Sequence, residues 1–377
     1  MRKQIALLIC LSLLASLAIG CSAVRTAAPE RAEESPAVTE AAPEEIPAET
    51  AAQPEESEPS PTEAPAETEA PVEVGSHYVF QPKVCSSYMT AVFGETMRDT
   101  WFSLVDAVLA GETSFSCPDD DTYWWVMGQF PDQCFPVLKD LIWYGSDVDH
   151  PVKDGVAEFS YMVPQEEAAA KIEAFAEQVE DILNETLKDD YSDLEKALAL
   201  YRYFSHHYIY DYESARPDFA PDYLSSYRVF STGTGICQEF SVAYSYLLLQ
   251  AGVDAGVMSG NRAYDRQGHQ WSYVNINGHD FHIDPTYVIG DQDSLSYFMM
   301  TDAQREAADC YSKDDFVICS HYSQEHPHPD YAADDDSFRE IWDGRLLGFD
   351  HETHTLSYSA YNDDWQPVEK TFDYTGW

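Results

Sequence analysis

The chain has 377 residues, 44% of them hydrophobic and 14% aromatic, enough to bury at least one large core. Its formal charge of −46 argues against a nucleic-acid partner, because phosphates would be repelled. Part of that charge, however, lies in a stretch whose composition predicts no fold.

Residues 1–20 read as an export signal peptide. Arg2 and Lys3 make a basic end, Ile5 to Ile19 is a short apolar run, and Gly20 is a small residue before Cys21. So short a run, followed at once by a polar tail, is a poor membrane span. Leu17-Ala18-Ile19-Gly20 before Cys21 resembles a bacterial lipoprotein lipobox, with Ala18 where leucine is commonest. The resemblance implies lipidation at Cys21, which would tether an exported protein to the outer face of the cell membrane without spanning it. An ordinary cleaved signal is the alternative. Residues 21–75 are rich in Ala, Glu, Pro, Thr and Ser, as in PEESEPSPTEAPAETEAP, and lack aromatics. Having almost nothing to bury, this acidic stretch is expected to be a disordered linker that holds the folded part off the membrane.

Residues 76–188 form an N-terminal α/β region without a recognisable motif. Trp101, Trp124, Trp125 and Trp143 read as core rather than as a sugar-binding surface. Helices are predicted over Thr96 to Ala110 and Gln165 to about Leu187, and a strand over Gly155 to Val163. The next segment, 189–319, opens with a helix from Ser192 to about Phe204, where Ser192 and Glu195 make a capping box. His206 and His207 beyond it read as surface or packing residues.

In STGTGICQEFSVAYSYLLLQAG a glycine-rich turn feeds a helix. Phe240, Ala243, Tyr244, Leu247, Leu248 and Ala251 fall on one buried face, and Gly252 closes it. Cys237 stands at the first turn, outside that stripe, where unpaired N–H groups and the helix dipole favour a thiolate. Downstream, Trp271 to Ile276 and His279 to Ile283 read as strands joined by Asn277-Gly278, a two-residue hairpin turn. That register sets Asp284 opposite Trp271 and makes His269 and Asp284 diagonal neighbours, roughly 6–8 Å apart at the backbone. A one-residue slip would separate them onto opposite faces.

A nucleophile at a helix start, a histidine, and an acid to orient it follow the logic of a cysteine triad. The run G-x-G-x-C, H-x-W, D-P-T, in that order on helix, strand and strand, resembles the transglutaminase-like superfamily. SLSYFMMTDAQREA resembles that family's Y-F-x-x-S/T-D stretch, so the likeness covers roughly Ser192 to Asp302. It implies an α+β, papain-like core in which the cysteine helix packs on a small antiparallel sheet. It further implies Cys237 as nucleophile, His269 as general base and acid, and Asp284 as the orienting acid. The implied chemistry is acyl transfer through a cysteine thioester. Hydrolysis of an amide in a protein or cell-wall peptide is expected. Cross-linking to an amine, or a non-catalytic binding or scaffold module that keeps the fold, are the alternatives. A glycosidase with paired carboxylates is disfavoured, since nothing singles out two acids.

Residues 320–377 are expected to be a loop followed by short strands. His321, His326 and His328 lie close together, but nearby prolines predict an irregular loop and no cysteine completes a zinc spacing. Asp119 to Asp121, Asp291 with Asp293, and Asp334 to Asp336 match no calcium-loop pattern. No metal and no cofactor is expected. Cys85, Cys117, Cys134, Cys310 and Cys319 allow at most two disulfides and one spare thiol. The N-terminal reading has a direct check: the mature protein should partition into detergent, and Cys21→Ser should lose that behaviour. A mature N-terminus elsewhere, or unchanged partitioning of the variant, rejects the anchor.

Overall fold

The computed structural model describes residues 78–145, 149–216 and 224–377. The stretch read as a signal peptide, Cys21 and the whole 21–75 linker lie outside these described residues. The first described elements are α1 (Ser87–Phe93), α2 (Glu95–Leu109), β1 (Ser114–Ser116), α3 (Asp120–Cys134), α4 (Pro136–Leu141), β2 (Ile142–Tyr144), β3 (Val152–Lys153), β4 (Val156–Tyr161) and α5 (Gln165–Thr186). Their boundaries follow local chemistry. The Ser86 hydroxyl caps α1 by accepting the Met89 N–H, Asp119 caps α3 through the Thr122 N–H, and Pro136 opens α4. Strand β4 pairs antiparallel with β1, β2 and β3. Trp101 is fully buried and Trp124 and Trp125 pack against the core, while Trp143 is 50% exposed.

The middle of the chain adds α6 (Asp193–His207), β5 (Ile209–Tyr210), α7 (Tyr227–Thr232), β6 (Thr234–Gly235) and α8 (Cys237–Gln250). The α6 capping box has both bonds: Ser192 accepts the Glu195 N–H and Glu195 accepts the Ser192 N–H. Next come β7 (Asp254–Asn261), β8 (Gly268–Ile276), β9 (His279–Ile283), α9 (Pro285–Gly290), α10 (Asp302–Asp309), β10 (Val317–Ile318) and α11 (Tyr322–Glu325). These strands make one antiparallel sheet in the order β10-β7-β8-β9. The chain ends with β11 (Arg345–Asp350), β12 (Thr355–Tyr361) and β13 (Pro367–Asp373), a three-stranded meander. The architecture is therefore α+β, with a cysteine-bearing helix laid on a small antiparallel sheet.

Helix α8 departs from the one-faced helix that its apolar spacing suggests. Ser241, Val242, Ser245 and Tyr246 are buried along with Phe240, Ala243, Tyr244, Leu247 and Leu248. The reason is that it is enclosed from several sides. Ser245 donates to the Gly256 carbonyl of β7 at 2.8 Å, and Ser272 of β8 donates to the Ser241 carbonyl at 3.0 Å. Tyr244 donates to the Ala197 carbonyl of α6 at 2.8 Å, and Tyr246 stacks on Phe175 of α5 at 5.7 Å. Each fully buried Leu or Phe on this helix contributes about 1.5–3 kcal/mol, so the helix that Cys237 begins is also the centre of the core.

Flanking segments close over it. The backbone of Gln81 exchanges two hydrogen bonds with the Gln250 side chain at the end of α8, at 2.7 and 2.8 Å. Tyr88 donates to Asp280 of the sheet at 2.7 Å. Buried hydrophobic residues from 78–188, 189–319 and 320–377 join in one cluster. Among the described residues no helix is long and apolar enough to cross a membrane.

The polar composition of segment 302–336 suggests an irregular stretch, yet it holds α10, β10 and α11. Helix α10 lacks an apolar stripe because its buried anchor is an arginine, Arg305, and β10 is too short to show a period. Among the described residues no cysteine is in a disulfide, which lies within the limit of at most two bridges that the cysteine count allows.

The hairpin keeps the expected register, with Ile276 opposite His279 and Ser272 opposite Ile283. Asn277 (φ 54°) and Gly278 (φ 84°) both stand in the left-handed region, as a tight I′ turn requires. Gly278→Val should therefore cost about 1–3 kcal/mol in denaturant unfolding. Gly290→Ala, where an added Cβ meets nothing within 4 Å and φ is not positive, should be nearly neutral. Equal stability of Gly278→Val and the parent would refute this account of the turn.

Candidate active site

The Cys237 position is built from the turn before α8. Gly233 ends α7 with φ 72°, and Gly235 allows a close approach: a Cβ there would lie 3.0 Å from Val229 and 3.3 Å from Glu239. Ile236 is extended and Cys237 is the first residue of α8. Cys237 is 7% exposed.

The first turn is braced by a buried carboxylate. Glu239, fully buried, accepts the Ile236 N–H at 3.0 Å and takes the Arg228 fork at 2.8 and 2.5 Å. Arg228 reaches on to Asp211 at 2.6 Å, so a residue of α7 joins the segment after β5 to α8. Partial burial pushes the Asp211 carboxyl up, but Arg228 and Ser214 outweigh it and bring it down to about 2. Gln270, next to His269, donates to the Gln238 carbonyl at 3.2 Å and to Ser241 at 2.8 Å. Those bonds set the start of β8 against the first turn of α8.

His269 and Asp284 meet as the hairpin register requires. His269 Nε2 lies 2.6 Å from Asp284 Oδ2, and both side chains are buried. Because a carboxylate only accepts, Nε2–H is the donor. The D-P-T run explains how the acid is held. Asp284 is the N-cap of α9, its Oδ1 accepting the Thr286 N–H at 3.1 Å, and Pro285 takes the first helical position.

Arg305 completes this group. Its Nη2 donates to Asp284 Oδ2 at 2.8 Å, and the residue is fully buried. The guanidinium lies 4.4 Å from the Trp271 ring centre and 4.8 Å from that of Tyr311, a cation–π sandwich in a water-poor setting. Burial alone would push the Asp284 carboxyl up. The charges of His269 and Arg305 outweigh it, and the group sits below its ordinary range.

Behind the pair is a second, closed histidine. Trp271 Nε1 donates to His282 Nδ1 at 3.0 Å, and His282 Nε2 donates to Asp302 at 2.9 Å. Burial holds this imidazole below its ordinary value despite Asp302, so it stays neutral. Lys313 lies 2.6 Å from the other Asp302 oxygen. Trp271, pinned in this way, lies near-parallel to His269 at 6.0 Å between ring centres.

Of the three residues singled out in the sequence, His269 and Asp284 are in direct hydrogen bond and Cys237 begins the adjoining helix. Glu239, Arg228, Arg305 and His282 were not singled out. Arg305 lies within SLSYFMMTDAQREA, and Glu239 follows Cys237 by two positions, so each was signalled only by its place beside a motif. The histidines considered for zinc are engaged locally: His321 with Gln324, His326 stacked on Tyr322, and His328 with the Pro329 carbonyl. Among the acids, Asp291 pairs with Arg345, Asp293 with His206, and Asp335 with His279. Among the described residues, the group with ligand spacing is Glu195, His351 and His354.

Residues 180–285 match the model of the transglutaminase-like superfamily. The chain carries a transglutaminase-like domain. Cys237, the start of β8 and Asp284 all fall inside the matched span. No curated protein matches the chain. Among solved structures, a candidate cysteine protease from Cytophaga hutchinsonii is 14% identical over 34% of this chain and 37% of that one, with a TM-score of 0.23. A structure described as a TGase is 24% identical over 33% of this chain and 34% of that one, with a TM-score of 0.26. A candidate protease from Parabacteroides distasonis is 11% identical over 35% and 34%, with a TM-score of 0.21. The chain thus spans 34–37% of the length of these solved structures.

The brace of the transglutaminase-like domain has an acid limit. A carboxyl lowered from about 3.9 to about 2 stabilises the fold fully above about pH 4, and that contribution is lost as pH falls toward 2. Asp211→Asn should remove about 1–2 kcal/mol at neutral pH, after allowing for partial solvent screening, and flatten the acid limb of the stability curve. Superimposable curves for variant and parent would show that the Asp211–Arg228 contact contributes nothing.

Proposed function

We propose that the transglutaminase-like domain is an acyl-transfer enzyme working through a Cys237 thioester, with peptide or amide hydrolysis as the overall reaction. The observation that carries the reading is the buried His269–Asp284 hydrogen bond of 2.6 Å. With Nε2 committed to Asp284, the proton exchanged with the thiol travels on Nδ1. His269 takes the Cys237 proton, the sulfur attacks the substrate carbonyl, and the imidazolium returns that proton to the departing amine. Asp284 keeps the tautomer and stabilises the imidazolium. The Cys237 N–H, at the start of α8, supplies one donor to the oxyanion. Water then attacks the thioester with His269 again as base, which needs no further binding site for the acceptor. We propose a protein or cell-wall peptide as substrate, met at the outer face of the membrane to which Cys21 would anchor the chain.

The test is labelling with a fluorescent iodoacetamide, read by mass spectrometry, alongside turnover of a peptide mixture. Cys237 should label faster than Cys310, the exposed thiol. Cys237→Ala should abolish turnover and leave stability nearly unchanged, and His269→Ala should be almost as inactive. Asp284→Asn should fall by about three to four orders of magnitude with a residual rate. Because that variant leaves Arg305 without its carboxylate, its folding is checked separately by near-UV circular dichroism. Full turnover by Cys237→Ala would reject the thioester route outright.

A further inference from the structure

We propose that Glu195, His351 and His354 form a binding site for a divalent metal of the zinc class, fastening the C-terminal sheet to the start of α6. One ligand atom from each residue lies within 4.8 Å of the other two. Two imidazoles and one carboxylate are a set that zinc takes, and a set too poor in oxygen for calcium.

The carboxylate is unusual for a capping residue. A capping-box glutamate ordinarily sits at the surface, yet Glu195 is fully buried. Its oxygens accept the Ser192 N–H and the Tyr374 hydroxyl, each at 2.7 Å. Outer hydrogen bonds of this kind orient ligating carboxylates. His351 turns Nδ1 to Glu195, at 2.9 and 3.1 Å, while its Nε2 lies 3.3 Å from Asp190. In the metal-free structure Nδ1–H donates to the Glu195 carboxylate, so a bound metal would take the place of that proton between the two groups, with Nε2 left facing Asp190.

His354 supplies the third ligand. It comes from the same tight turn between β11 and β12, with its ring edge-on to His351 at 5.7 Å. It takes no part in the His351–Glu195 hydrogen bonds. Bonds of about 2.0–2.2 Å place tetrahedral ligand atoms about 3.3 Å apart. The His351–Glu195 pair, at 2.9 and 3.1 Å, is close to that spacing, and the His354 ligand atom lies within 4.8 Å of both. Bound metal would then join α6, against which α8 leans through Tyr244 and Ala197, to a turn 156 residues further along the chain.

The experiment is calorimetric titration of the full chain with Zn2+ alone, with thermal melting in parallel. One equivalent should bind, and Tm should rise by about 5 °C at a hundredfold excess over Kd. His354→Ala separates the metal site from a simple ion pair, because the pair uses only His351 and Glu195. That variant should bind Zn2+ weaker by about tenfold or more while its metal-free melting stays unchanged. His326→Ala, in the other histidine group, should bind as the parent does. Co2+ bound to the parent should show the visible absorption of a low-coordinate site, and His354→Ala should lose it. No tight equivalent in the parent, undiminished binding by His354→Ala, or loss of binding in His326→Ala would each overturn the proposal and leave an ion pair only.

Discussion

The candidate site depends on one buried charge cluster, Arg305 with Asp284 and His269. A carboxylate removed from water is costly unless its partners replace the lost hydration. Asp284 has three: the imidazole, the guanidinium and the Thr286 N–H. Arg305 in turn spreads its charge over the faces of Trp271 and Tyr311. This explains why α10 exists where no apolar stripe announces a helix. Its task in the core is to deliver a cation, and the aromatic residues around it provide the apolar contact.

The Cys237 side uses the same device with different residues. Glu239 is buried beside Cys237, and Arg228 compensates it while tying in Asp211. Each half of the site thus has a buried acid held by an arginine from a neighbouring short helix. The two halves meet through Gln270, which bonds the first turn of α8 from the start of β8. Such networks are stiff because removing any one member strands a buried charge. That stiffness is what the proposed nucleophile and base would require, since small displacements of reacting groups are expensive in rate.

Much of this was legible in the sequence, and the reason is local. The Asn277-Gly278 turn sets the β8–β9 register, and the register alone brings His269 to Asp284. The Ser192–Glu195 capping box and the glycines before Cys237 were legible for the same reason, because caps and tight turns use few residue types. Arg228, Arg305 and His282 were not, since each acts through a partner from another element: Glu239 and Asp211, Asp284, and Asp302 with Trp271. No spacing in one sequence announces a pairing of that kind. The enclosure of α8 was missed for a related reason. Serines 241 and 245 look like a polar face until β7 offers the Gly256 carbonyl to the Ser245 hydroxyl and Ser272 of β8 donates to the Ser241 carbonyl.

The two buried histidines show how identical side chains acquire different capacities. His282 accepts from an indole at Nδ1, and an indole N–H can only donate. To gain a proton at that nitrogen, His282 would have to break the Trp271 bond inside an apolar core. It is therefore locked in one tautomer, a strut that holds Trp271 beside His269. His269 has the opposite arrangement, with Nε2 donating to a carboxylate. That bond survives when the ring is protonated on Nδ1, and it strengthens as the ring becomes cationic. An imidazole able to cycle between neutral and charged forms without losing its anchor is suited to move a proton. Of the two, His269 alone has that freedom, and the difference comes from whether its fixed partner is an acceptor or a donor.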